Sequence, residues 1–183
     1  MKKESTAMYV VRLAATLLII AGVMAAALAG VNSITEPIIE QLTAEKTQKA
    51  IEAVLPGGGE VIEGYTDATG LVSTVYKGEN GYAVEVTPGG FDNTITMMVG
   101  VDNEGNVLGI DIISHTETAG LGAVADAATS AGEAFRSQFV GMSGSVSVDK
   151  DGGQVDSLTG ATITSRAVCA GVNAALAVVA NMG

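Results

Sequence analysis

The chain has 183 residues, 48% of them hydrophobic, enough for one membrane segment and one small packed domain. A formal charge of -11, no Trp and an aromatic share of 4% exclude the basic, stacking surfaces that bind nucleic acid. Cys169 is the one cysteine, which excludes an internal disulfide and any multi-cysteine iron-sulfur or zinc site built from this chain alone.

Residues 13–31 read LAATLLIIAGVMAAALAGV, without a charge. At about 1.5 Å per residue this run crosses a ~30 Å hydrocarbon core, so a transmembrane helix is expected. A cleaved signal sequence is the alternative, because Ala25, Ala26, Ala27 and Ala29 form a small-residue pattern. The run exceeds the usual ~7–15-residue signal core, which favours the anchor. Lys2, Lys3 and Arg12 precede the run while Glu36, Glu40 and Glu45 follow it. Residues 1–12 are therefore expected in the cytoplasm and the rest of the chain outside, in a single-pass inner-membrane arrangement.

Thr35-Glu36-Pro37 has the residues of a helix start, and Ile38, Ile39, Leu42, Ala50, Ile51, Val54 and Leu55 continue a helical stripe interrupted near Lys46. Pro56 and Gly57 to Gly59 end it, giving a stalk helix or linker over 32–56 and a domain over 57–183. Between Glu60 and Ser114, short runs of Val, Ile, Thr and Tyr separated by Gly, Asn and Asp predict strands. The clearest hairpin joins Thr94–Val101 to Val107–Ser114 through residues 102–106. Ala123–Val140 is expected to be helical, with Gly132 against it, and Ser145–Val148 to be a short strand before the turn at Asp151-Gly152-Gly153. Ile163–Ala180 carries the strongest helix signal of this part and, being apolar nearly all round, should be buried. Arg166 and Asn173 interrupt its apolar run, against a second membrane crossing. The fold class expected is α+β, a mainly antiparallel sheet with packed helices preceded by one N-terminal transmembrane helix.

Before that last helix stands Asp156-Ser157-Leu158-Thr159-Gly160-Ala161-Thr162. A helix start gathers free N–H groups and the positive dipole end, so it suits a phosphate. Gly160 lets the backbone approach such a ligand, Thr162 offers a hydroxyl in the first turn, and Arg166 follows four residues on. On residue types alone a second reading is open, in which Thr159 caps a structural helix and Gly160 and Ala161 fill tight corners. Upstream, Ser114-His115-Thr116-Glu117-Thr118-Ala119-Gly120-Leu121-Gly122 follows a predicted strand. Its glycines let the backbone approach a neighbouring surface closely, while Glu117 and Thr118 can hydrogen-bond a ligand or order the loop. His115 is expected to make a structural hydrogen bond, and one His with one Glu is too little for a metal site. Cys169 is expected to be buried and inert.

DSLTGAT resembles the D-x-x-[S/T]-G-A-[T/S] flavinylation motif of the RnfG/NqrC family of redox-driven ion pumps. His115 to Gly122 is similar to the H-x-E-T-x-G-x-G stretch of the same family, which lies beside the flavin. The resemblance runs through anchor, stalk, β-rich middle and terminal motif, and the length and the SHTETAGLG stretch favour the RnfG branch. It implies an FMN-binding domain with one FMN, moved from FAD by a flavin transferase and esterified through its phosphate to Thr162. It also implies flavin contacts from Thr159, Gly160, Ala161, Glu117, Thr118 and Leu121. The function implied is an electron relay between ferredoxin and NAD, coupled to Na+ or H+ movement, as an oxidoreductase and translocase component that is not catalytic alone. Partners implied are the other Rnf membrane subunits, notably the FMN-bearing RnfD and the A/E pair. An NqrC-like component of a quinone-reducing sodium pump, a free-standing cell-envelope FMN-domain oxidoreductase and a flavin-free structural module are the alternatives.

Overall fold

The computed structural model describes residues 6–65 and 67–182, so Lys2 and Lys3 lie outside the described residues. The chain divides into two compact units, Met1–Ala44 and Glu45–Gly183. Helix α1, Thr6–Val54, is long and apolar enough to cross a membrane, and its apolar side chains from Leu13 to Val31 are exposed, as lipid contact requires.

No helix starts at Thr35-Glu36-Pro37, contrary to expectation, because α1 passes through Pro37 unbroken. The proline withholds one N–H from the ladder. Neighbouring side chains brace the same turns instead of capping a new helix. Thr35 Oγ1 donates back to the carbonyls of Val31 and Asn32 at 3.0 and 3.3 Å, and Asn32 Nδ2 donates to Glu36 Oε2 at 3.1 Å.

The second unit is built on a five-stranded antiparallel sheet in sequence order, formed by β1 (Glu60–Ile62), β2 (Val72–Lys77), β3 (Gly81–Val86), β4 (Thr96–Asp102) and β5 (Val107–Ser114). Side chains alternate across its central strands. Val84, Val86, Met97, Val99 and Val101 form one core with Val168, Val172, Ala175 and Val179 of the C-terminal helix. On the other face Ala83, Met98 and Ile113 pack with Ala50, Ile51, Val54 and Leu55, so the last turn of α1 belongs to this core. Both faces of β3 and β4 are thereby covered.

The expected hairpin is present as β4 and β5. Its turn is closed by the Asp102 carboxylate, which accepts from the N–H groups of Glu104 and Asn106 at 2.9 and 2.8 Å and from Asn106 Nδ2 at 2.9 Å. The expected helix over Ala123–Val140 is instead a 3-10 turn, Gly122–Ala125, and a separate helix α2, Ser130–Ser137. The break comes at Thr129, whose hydroxyl caps α2 by accepting from Gly132 N–H at 3.3 Å. Ser145–Val148 makes no strand. Val148 forms only a single parallel bridge to Val155, before a 3-10 turn at Asp149–Asp151. Helix α3, Thr162–Ala180, is largely buried, as its composition predicts.

Candidate functional site

A pocket of about 270 Å³ lies where the loop after β5 meets the start of α3, lined by Phe91, Glu117, Thr118, Leu121, Gly122 and residues 160–164. Six of the seven residues singled out from the sequence meet here, namely Glu117, Thr118, Leu121, Gly160, Ala161 and Thr162. Thr159 is the exception. It is exposed, lies outside the pocket lining and does not cap α3, whose N-cap position is Ala161 with no side-chain cap. Gly160, at a φ of 75° that L side chains avoid, turns the chain between Thr159 and the buried Ala161.

The motif loop is fastened on every side. Gln138 brackets Asp156, its Oε1 accepting the backbone N–H at 2.7 Å and its Nε2 donating to the carbonyl at 3.3 Å. Ser157 N–H donates to Asp149 Oδ1 at 3.0 Å. Bonds from the Ser157 side chain, then from Lys150, hold the Asp149 carboxyl well below the carboxylate range. Leu158 N–H donates to Ser165 Oγ at 3.0 Å, and that hydroxyl donates to Ala161 O at 3.0 Å, so the fully buried Ser165 ties the loop to the first turn of α3.

Arg166 does not face the pocket. Its guanidinium forms a bidentate pair with Asp151 at 2.6 and 2.7 Å, which keeps the Asp151 carboxyl below its ordinary value. What can meet an anion at this end of α3 is backbone. Among the described residues, the N–H groups of Thr162, Ile163 and Thr164 have no protein acceptor, and no side chain caps the turn. Thr162 is half-buried and lines the pocket at this turn.

Glu117 is buried and fully engaged within the protein. Oε1 accepts from the N–H groups of Phe91 at 2.7 Å and Asp92 at 3.3 Å, and Oε2 from Thr164 Oγ1 at 2.5 Å. Its carboxylate thus ties the turn at Phe91 and Asp92 to the first turn of α3. The neighbouring loop closes on the Thr118 carbonyl, which accepts from Leu121 and Ala123 N–H at 3.1 and 3.2 Å, and the Thr118 side chain is left exposed at the pocket. His115 makes the structural bond expected of it, Nδ1 accepting from Glu117 N–H at 3.2 Å, while Nε2 stands 3.7 Å from Asp126 Oδ2.

Phe91 and Thr164 escaped the sequence reading. Phe91 gave a usable signal, an aromatic set between Gly89-Gly90 and Asp92-Asn93 in a chain with three phenylalanines. Among the described residues no group of three or more His, Cys, Asp or Glu could hold a metal ion. Burial, then the charge of Asp151, pushes the Cys169 thiol up to about 11.

The pocket joins an uncapped helix start, Thr162 and exposed apolar residues at Leu121, Ile163 and Phe91. Residues 90–177 match the FMN-binding domain family, a segment that contains the whole pocket lining. The G subunit of the ion-translocating oxidoreductase complex of Methanosarcina acetivorans is 32% identical over 173 residues, covering 88% of this chain and 89% of that protein. The G subunit of the Na(+)-translocating ferredoxin:NAD(+) oxidoreductase complex of Acetobacterium woodii is 30% identical over 195 residues, covering 94% and 93%. The G subunit of the ion-translocating oxidoreductase complex of Aliivibrio fischeri is 43% identical over a shorter stretch of 101 residues, covering 53% of this chain and 48% of that protein. With an apolar N-terminal helix, an FMN-binding domain and relatives matched over nearly their full length, the chain belongs to the RnfG family, the G subunits of ion-translocating oxidoreductase complexes.

Proposed function

We propose that this protein is an electron-carrying flavoprotein whose single FMN is joined through its phosphate to the hydroxyl of Thr162. The observation that supports the reading is that Thr162 lines the pocket at a helix start whose N–H groups have no protein acceptor. A phosphate monoester there would be met by the α3 dipole and by three backbone donors. Gly160 and Ala161 leave the approach uncrowded, Leu121 and Ile163 offer apolar surface, and the exposed Thr118 hydroxyl is available to a polar ring edge. Bound FMN supplies one-electron chemistry, and the protein's part is to place the ring and set its surroundings. A flavin transferase is the maturing partner, with the Thr162 oxygen displacing AMP from FAD as the new P–O bond forms.

The division of the chain follows as residues 1–12 in the cytoplasm, 13–31 across the membrane, 32–56 as connecting helix and 57–183 as FMN domain. The basic residues Lys2, Lys3 and Arg12 ahead of the span support a cytoplasmic N-terminus and an extracytoplasmic domain. The partners are the other membrane subunits of an Rnf complex, in particular the FMN-bearing RnfD and the A/E pair. Electrons would pass through this protein between ferredoxin and NAD with Na+ or H+ translocation, the names of the relatives supplying the support.

The test is Thr162→Ala in protein made with a competent transferase. The variant should lose all in-gel flavin fluorescence after denaturation and the FMN increment in intact mass, with its circular dichroism unchanged. A fluorescent covalent band surviving in Thr162→Ala would refute the assignment.

A further inference from the structure

Phe91 has a position that the fold itself does not explain. The other two phenylalanines, Phe135 and Phe139, are 2% and 0% exposed and pack edge to face with ring centroids 5.5 Å apart. Phe91 is 65% exposed at the pocket mouth. It sits at the tip of a tight turn between β3 and β4, in which Gly89 bridges Thr94 and Gly90 N–H donates to Asn93 O at 2.7 Å. A connection of this kind needs only turn-forming polar residues at its tip.

This turn is also tethered from inside the domain. The N–H groups of Phe91 and Asp92 donate to Glu117 Oε1, and Thr164 holds the other carboxylate oxygen. Room for the carboxylate comes from two glycines, since a Cβ at Gly90 would collide with Oε1 and one at Gly122 with Oε2. A buried carboxylate costs stability unless its bonds are complete. Here three donors complete them, and the result is a turn whose backbone is tied to the site and whose aromatic side chain lines the pocket while exposed to solvent.

We propose that Phe91 is a ligand-covering residue of this site, supplying the aromatic surface against which the flavin ring lies, and that Glu117 is the positioning residue that fixes it there. The inference rests on the FMN reading above and extends it to a residue outside both sequence motifs. Aromatic rings gain from offset stacking on a flat conjugated ligand, and exposed apolar surface is relieved when a ligand covers it.

The test uses the full chain purified with its transferase, with intact mass recorded first to establish FMN loading. Phe91→Ala should retain the FMN mass while the acrylamide quenching constant of flavin fluorescence rises several-fold. Phe91→Trp should retain the mass while steady-state emission falls several-fold, because a stacked indole quenches flavin. Glu117→Ala should reproduce the Phe91→Ala increase, whereas Glu117→Gln, which keeps an acceptor for the two N–H groups, should stay near wild type. Should Glu117→Ala fail to fold, the two Phe91 variants decide alone, being changes at an exposed side chain. Loaded protein in which Phe91→Ala leaves accessibility unchanged and Phe91→Trp leaves emission undimmed would overturn the proposal while the Thr162 reading stands. Wild-type protein without the FMN mass would instead overturn the Thr162 reading, and this proposal with it.

Discussion

Replacing Thr164 by Val tests whether the Glu117 network holds the site together. Valine keeps the shape and β-branching of threonine, so packing and helix propensity change little, and what disappears is the hydroxyl donor to Glu117 Oε2. Thr164 is 1% exposed and Glu117 8%, so water cannot readily replace that donor. A hydrogen bond to a charged group contributes about 1.5–3 kcal/mol, and stranding its acceptor adds to the loss, so roughly 2–3 kcal/mol of destabilisation is expected. For a unit of this size that corresponds to about 6–12 °C in melting temperature. The assay is a thermal melt by circular dichroism on the detergent-solubilised full chain at neutral pH. A double-mutant cycle with Glu117→Ala should give a coupling of at least about 1 kcal/mol. If Thr164→Val melts within about 2 °C of wild type, or the two changes simply add, the carboxylate does not depend on this hydroxyl and the network as described is wrong.

Two further outcomes follow from the titrating groups. The Asp102 carboxyl is held below its ordinary 3.8 chiefly by the Asn106 side chain, with the Asn106 and Glu104 N–H groups contributing. Its stabilisation is therefore present above about pH 4 and is lost as pH falls through the lowered native value. Asp102→Asn should cost about 1 kcal/mol in urea unfolding at pH 7, allowing for solvent screening, and the gap to wild type should narrow as pH is lowered below about 4. Cys169, buried and with its thiol pushed up to about 11, should resist maleimide at pH 7.5 in the folded chain and label fully in urea, as read by mass. Rapid labelling of folded protein would show that this face of α3 opens.

The parts of the fold legible in the sequence were those in which local chemistry and tertiary packing agree. The β4–β5 hairpin announced itself through alternating residues around an Asp-Asn-Glu-Gly-Asn turn that its own side chains close. α3 announced itself by being apolar on every side, which only burial permits. α1 and α2 were misread where the two conflict. Thr35-Glu36-Pro37 has the composition of a helix start, yet the surrounding turns hold the helix through it, and the hydroxyl bonds backwards. The Ala-rich run from residue 123 has the propensity of one helix, yet Thr129 prefers to cap a new one.

At the site, the hydroxyl and the loop after β5 were readable because their motifs are contiguous. The link among Glu117, Thr164 and the Phe91 turn was not. It joins residues 47 apart for the hydroxyl bond and 26 apart for the Phe91 N–H bond, and no local pattern encodes which turn a buried carboxylate will hold.

The closing turn of α1 bears on how the domain can be studied apart from the bilayer. Ala50, Ile51, Val54 and Leu55 are 0–4% exposed against Ala83, Met98 and Ile113, so they serve as flooring for the sheet as much as the end of a tether. A soluble fragment cut at Gly57, where the helix punctuation suggests a boundary, would bare that underside and invite self-association. One started at Glu45 keeps the layer in place, and coincides with the division between the two compact units.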